Sequence, residues 1–315
     1  MTYTNNFQKS IEKHLIDFKS NRQYLPPTNK KKWLYHDMSD NLFPPIKHGF
    51  LQYVYDKGMP LHDFVNHVRS SQIFCINLFY HFIKNEPEKL LDVLSFYTNS
   101  KLKKIKNFEF EFSPYANILG EWKSDNNRPE EYVTATDLYL QIYDEKDQIV
   151  GFLIEVKFSE NDFTNCGGFN SKGNTGSSKI VCNDGKQLFT DFKTCYLQGA
   201  HGKSKLRRKY LDFFNKSDFN EAAFSNKCPF IFNHQCIRNH SLLKALVSDK
   251  KINYGYFILV HHDLNVSIIQ EWEKYKELLN SSTLQEIINI KAGDFVKKSD
   301  NENFKNYFKD RYLIG

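Results

Sequence analysis

The chain has 315 residues, of which 40% are hydrophobic and 16% aromatic, so it has ample material for a packed core and is not a long disordered polymer. Its net charge of +6 is too modest to name nucleic acid as a partner by itself, and the distribution of charge carries more information than the total. No run approaches the roughly 18 uninterrupted apolar residues of a membrane span. The polar start of the chain has no apolar signal run, and the six cysteines are then expected as thiols in a reducing cytoplasm.

In chain order, Phe7, Ile11, Leu15 and Phe18 fall at helical spacing, which predicts a helix over residues 5–20. A linker with Pro26-Pro27 and Lys30-Lys31-Lys32 follows, and the stretch to Gly58 has aromatics without a period and reads as irregular. Residues 59–85 read as helix, with Ser70 and Ser71 as a cap or an interruption. Pro87 opens a further helix to residue 98. Phe108-Glu109-Phe110-Glu111-Phe112 alternates cleanly and predicts a strand.

Residues 136–143 and 149–157 are two more strands, joined by the turn residues Asp144-Glu145-Lys146-Asp147-Gln148. A hairpin closing symmetrically about Lys146 sets Asp137 directly opposite Glu155, with Lys157 two positions on along the same face. Apolar neighbours on both faces make a solvated Glu–Lys pair a poor explanation. Two carboxylates and a lysine on one patch of sheet suit a hard divalent cation, which needs oxygen ligands. Such an ion can activate water against a phosphodiester, while the lysine orients or deprotonates that water or stabilises the developing charge.

Residues 161–180 are rich in Gly, Asn and Ser and read as a surface loop; residues 184–198 read as helix. A second helix is expected over 201–216, where Lys205, Arg207, Arg208 and Lys209 form a basic cluster suited to phosphate contacts. Residues 235–247 are helical in pattern, 254–260 a buried strand, 265–279 a helix, and 304–313 a short amphipathic helix. His261 and His262 are adjacent on a strand and point to opposite faces, so they are expected to be structural.

With Asp137 heading one strand and Glu155-Val156-Lys157 in the next, the chain resembles the PD-(D/E)XK, or restriction-endonuclease-like, nucleases. Thr136 stands where that pattern has proline. Ser70-Ser71-Gln72 upstream, with Gln235, Arg238 and Asn239 downstream, is similar to a less characterised bacterial branch of the superfamily. The resemblance implies an α/β fold, a restriction-endonuclease-like αβββαβ core with a mixed central sheet and additional helices at both ends. The division expected is a helical extension over 1–85, the nuclease core over 86–262 and a C-terminal helical segment over 263–315.

It also implies a Mg²⁺-dependent (or Mn²⁺-dependent) endonuclease acting on DNA in restriction or defence, with repair nuclease or non-catalytic nucleic-acid binder as alternatives. Asp137 and Glu155 would hold the metal and Lys157 would assist the reaction. Glu121 is the preferred third acid ahead of Glu111, and Arg238 joins the DNA-contact candidates. A homodimer would supply the two sites that a double-strand cut needs. An iron–sulfur cluster or zinc on Cys166, Cys182, Cys195 and Cys228 is a further implication, but tight C-x₂-C pairs are missing, and free buried thiols are the preferred expectation.

Overall fold

The computed structural model describes residues 4–22, 31–114, 116–123, 128–129, 133–198 and 207–315. Helices α1 (Thr4–Asn21), α2 (Lys47–Lys57), α3 (Ser71–Asn85) and α4 (Pro87–Thr98) lead into strand β1 (Leu102–Phe112). A short ribbon, β2 (Trp122–Lys123) with β3 (Arg128–Pro129), precedes the hairpin β4 (Thr136–Asp144) and β5 (Ile149–Lys157). The chain continues through α5 (Ser177–Asn183), α6 (Gly185–Thr190), α7 (His234–Ser248), β6 (Tyr254–His261), α8 (Val266–Lys276) and α9 (Ser281–Leu284). It ends with β7 (Ile287–Lys291), α10 (Ala292–Lys298) and α11 (Glu302–Tyr312).

The main sheet runs β1-β4-β5-β6-β7. Its first three strands pair antiparallel, and β6 and β7 add in parallel. This is the mixed α/β sheet of a restriction-endonuclease-like core. β7 is an addition, in a segment where the sequence pattern predicts only helix.

Register in the hairpin is fixed by its turn. Asp144 Oδ1 accepts from the backbone N–H groups of Lys146 and Gln148 at 2.9 and 2.8 Å, and Asp147 takes φ +56° to close the bend. Leu138 then pairs with Ile154 and Leu140 with Phe152. Side chains alternate, so Leu138, Leu140, Ile142, Phe152, Ile154 and Val156 enter one core while Tyr139 and Leu153 enter the other. β5 is central and covered on both sides, which is why its pattern is almost continuously apolar.

The first core brings α3, apolar nearly all round and buried from Gln72 to Ile83, together with residues of α1, α4, α10 and α11. The two ends of the chain meet here. Arg311 of α11 is 1% exposed and donates to the backbone oxygen of Asn41 at 2.9 Å, to Asn41 Oδ1 and to the Tyr307 hydroxyl. The second core is built by α7 and α8 on the opposite face with the 3₁₀ turns between 210 and 231.

Four local expectations change. The helix expected over 59–85 begins only at Ser71, because Ser70 caps it by accepting from the Ile73 N–H. The aromatic stretch before Gly58 contains α2, which Gly58 ends in the left-handed conformation. The basic helix expected over 201–216 is absent from its described part: residues 207–209 are not helical and a 3₁₀ turn follows at Tyr210–Phe213. The helix expected over 184–198 is reduced to α6 and a 3₁₀ turn at Phe192–Thr194.

Candidate active site

Phe110 pairs with Leu138 and Phe112 with Thr136, so Glu111 lies opposite Asp137 between β1 and β4. Continuing the β4–β5 register one residue past Leu138 and Ile154 sets Asp137 opposite Glu155. Three carboxylate residues therefore stand in one row across three neighbouring strands. Such a row is costly unless something positive balances it.

Each member has its own anchor. Asp137 is half-buried, and its Oδ2 accepts from the Val156 N–H at 2.6 Å. Glu155, 3% exposed, is held by three donors: Lys157 Nζ on Oε1 at 2.9 Å, Gln235 Nε2 on Oε1 at 2.6 Å and Asn239 Nδ2 on Oε2 at 2.9 Å. Gln235 Oε1 in turn accepts from Lys157 Nζ at 3.1 Å. Gln235 and Asn239 are one turn apart on α7, so a single helix face grips the carboxylate. Glu111 has φ +53°, a strained value for a side chain of this size, and this breaks the alternation of β1. Phe110 consequently enters the first core and Phe112 the second, while Glu111 Oε2 meets His62 Nε2 at 3.1 Å.

The electrostatics agree with the row. Burial, then Glu155 and Glu111, push the Asp137 carboxyl well above the usual range, with Lys157 and the Val156 N–H pulling the other way. For Lys157 burial alone would lower the ammonium, but Glu155, Glu160 and Asp137 outweigh it and raise it, so the side chain is a cation. His62 is raised mainly by its hydrogen bond to Glu111. Gln72 explains how His62 arrives there: its Oε1 accepts from the His62 N–H at 3.1 Å and its Nε2 donates to the Pro60 carbonyl at 3.2 Å.

Glu121 belongs to a different network. Its carboxylate accepts from the Thr134 N–H, from Thr134 Oγ1 at 2.7 Å and from the Tyr210 hydroxyl at 2.7 Å. Gly120, at φ +69° and with no room for a Cβ beside the Arg207 carbonyl, fixes this corner. Arg238 completes it by donating to Thr134 Oγ1 and to the Val133 carbonyl at 3.1 and 3.3 Å. Glu111, and not Glu121, is the acid brought into the row.

The basic residues are also partly committed. Arg207 Nη2 donates to both carboxylate oxygens of Asp212 at 3.0 Å, and Arg208 donates to the Gly120 carbonyl at 3.2 Å. Lys209 is half-buried at the same corner, and Lys205 lies outside the described residues. The sequence offers no signal for His62. Gln235 and Asn239 stand with Arg238 in the downstream motif of the sequence, and their i, i+4 spacing on one helix is what brings both to Glu155.

The family described as restriction endonuclease associating with ARP matches residues 12–313. The chain belongs to that family. No curated protein and no solved structure matches it. Membership in a restriction endonuclease family supports a nuclease role, and it covers the helices at both ends of the chain as well as the sheet that carries the carboxylate row. No described helix is long and apolar enough to cross a membrane.

Among the described residues no three His, Cys, Asp or Glu side chains are grouped so as to hold a metal ion unaided. A hard dication takes one or two carboxylates and keeps several waters, so the donor set of this row still suits one. Burial and then the repulsion of Glu155 and Glu111 raise Asp137, and the repulsion is what a cation would relieve.

Proposed function

We propose that the protein is a metal-dependent DNA endonuclease of restriction or defence, with its active centre at Glu111, Asp137, Glu155 and Lys157. The observation that carries this reading is the row of acids across β1, β4 and β5 with the Lys157 ammonium at one end. A pure DNA-binding surface gains nothing from acids facing a polyanion.

Mg²⁺ or Mn²⁺ would be held by Asp137 and Glu155, with Glu111 as the third acid in place of Glu121. When bound, the cation supplies charge neutralisation at the phosphate and a water of lowered pKa. The chain's own groups do the rest. Val156 N–H fixes one Asp137 oxygen. Gln235 and Asn239 orient Glu155. Lys157, kept protonated by its acidic neighbours, stabilises charge developing on the phosphoryl oxygens rather than taking a proton.

Lys205, Arg207, Arg208, Lys209 and Arg238 remain the DNA-contact group we propose; Arg238 also braces Thr134. The family's description makes association with ARP the expected partnership. A homodimer would allow both strands to be cut, and cytoplasmic action on DNA is the setting this function requires.

Incubation of supercoiled plasmid with the purified protein tests the reading. Cleavage with Mg²⁺ or Mn²⁺, absent in EDTA, is expected. Metal-independent binding without cleavage, on duplex and single-stranded DNA alike, would overturn it.

A further inference from the structure

Cys166, Cys182, Cys195 and Cys228 line a cavity of about 30 Å³, which has room for one or two waters. A far larger space lies beside the carboxylate row. It is a groove of about 330 Å³, the size of a small-ligand site. One wall comes from the segment between α2 and α3, with His62, Phe64, His67 and Arg69. The other is Ser159 and Glu160, which follow Lys157 at the end of β5. The groove adjoins the row: His62 Nε2 meets Glu111 Oε2 at 3.1 Å, and Glu160 acts on the Lys157 ammonium.

The segment that carries Phe64 is pinned from several sides. Asn41 Nδ2 donates to the carbonyls of Val65 and His67 at 2.9 and 3.0 Å, and the Val68 N–H donates to the Trp33 carbonyl at 2.9 Å. Gln72 holds His62 and Pro60 from α3. On this fixed turn Phe64 stands 73% exposed and joins neither core. A lone exposed phenylalanine on an open surface needs no explanation. This one lines a groove that adjoins a row of acids, on a backbone already ordered for contact.

The same groove offers hydrogen-bond donors. His67 Nδ1 accepts from the Arg69 N–H at 3.0 Å, which leaves Nε2 as the donor of the neutral ring. Arg69 Nε meets Glu12 Oε2 at 2.6 Å, an ion pair that holds the guanidinium in place and leaves its two Nη groups for a further acceptor.

We propose that the groove receives a nucleotide of the cleaved strand that has left its base pair, with its base stacked on Phe64 and its phosphate met by Arg69 and His67. The inference rests on the nuclease reading of the row and adds the state of the substrate, unpaired beside the cut. In a paired duplex the base faces are covered by their neighbours and offer Phe64 no partner. Every base has a π-face, so stacking on one aromatic ring tolerates any sequence. Unstacking costs least at a mismatch or in a strand that is already single. Negative supercoiling favours local opening, so plasmid remains a substrate.

The test is the affinity of the full chain for short labelled oligonucleotides, read by fluorescence anisotropy in EDTA and, in a Lys157→Ala background, in Mg²⁺. We expect a single strand and a duplex with a central mismatch to bind more tightly than the fully paired duplex. Phe64→Ala should weaken the first two by about 5- to 150-fold, leave the paired duplex unchanged and melt with the wild type, while Phe64→Trp keeps the tight binding. Equal affinity for paired and unpaired DNA would overturn the inference, as would the absence of binding to any oligonucleotide. So would an affinity for the single strand that Phe64→Ala leaves unchanged, the result that a groove for a protein segment would give. The nuclease reading fails separately, on absent cleavage, even where Phe64 governs binding.

Discussion

Gln235 sits between the two charged partners of the site, donating to Glu155 Oε1 at 2.6 Å and accepting from Lys157 Nζ at 3.1 Å. One amide therefore sets the position of both a proposed metal ligand and the proposed charge stabiliser. Partners of this kind are worth about 10–100-fold in metal affinity or activity. Gln235→Ala should lower kcat by that amount with little change in DNA affinity. Gln235→Glu should be at least as damaging, because it sets a second carboxylate against Glu155. Single-turnover cleavage alongside a binding titration checks both, and an unaffected kcat would remove Gln235 from the site.

The charge balance of the row predicts a stability effect. The charged form of Asp137 is disfavoured in the folded protein, so its carboxylate costs stability at neutral pH when no cation is bound. With a folded value above the unfolded one, stability is fullest at low pH and falls as pH rises through the folded value. Asp137→Asn keeps an oxygen for the Val156 N–H and removes the charge. In EDTA the variant should melt higher than wild type, by about 2–4 °C, and it should lose the stabilisation that Mg²⁺ gives the wild-type protein. Equal melting temperatures in EDTA at neutral pH would count against a strained row.

Glu111 and Glu121 can be told apart. Glu111→Gln should abolish metal-dependent cleavage while leaving the fold intact. Glu121→Gln should mainly loosen the corner made with Thr134 and Tyr210, costing about 1–3 kcal/mol and showing first in thermal melting. If Glu121→Gln alone removes activity without loss of stability, the roles are the reverse.

The His62–Glu111 pair gives a pH signature. Its hydrogen bond raises His62 above 6.5, so the pair's contribution is complete below that pH and is lost as pH rises through the elevated folded value. An NMR titration should place His62 above 6.5 in the wild type and lower in Glu111→Gln. The same midpoint in both proteins would show that the pair is not formed in solution.

Arg311 supports a prediction about the whole fold. Its guanidinium joins α11 to the Asn41 segment inside the first core, and Arg311→Ala removes the donor to Asn41 Oδ1 and leaves the Asn41 carbonyl with Asn77 Nδ2 alone. The cost should be about 1–3 kcal/mol, read from denaturant unfolding. A loss below 1 kcal/mol would mean that the two ends of the chain are not locked together as described.

The hairpin and its register were legible in the sequence because period-two alternation and a five-residue polar turn leave few ways to pair residues 136–144 with 149–157. That was enough to set Asp137 against Glu155. Glu111 was harder, since nothing in Phe-Glu-Phe-Glu-Phe announces a positive φ, and that single dihedral separates Phe110 from Phe112. β7 was hidden because a five-residue parallel strand has too few positions to show a period. The basic segment misled because its charges looked like a helix face, while Arg207 instead closes on Asp212. The meeting of four cysteines is a tertiary fact; their spacings, from 13 to 33 residues, carry no local motif.

The most direct test of the central claim is the rate of plasmid cleavage in Mg²⁺ by wild type, Asp137→Ala and Lys157→Ala, prepared identically and shown to be folded. The account predicts cleavage by the wild type alone, with both variants reduced by at least about 10²-fold and still able to bind DNA. Cleavage that survives both substitutions would contradict the placement of the active centre on this row of strands.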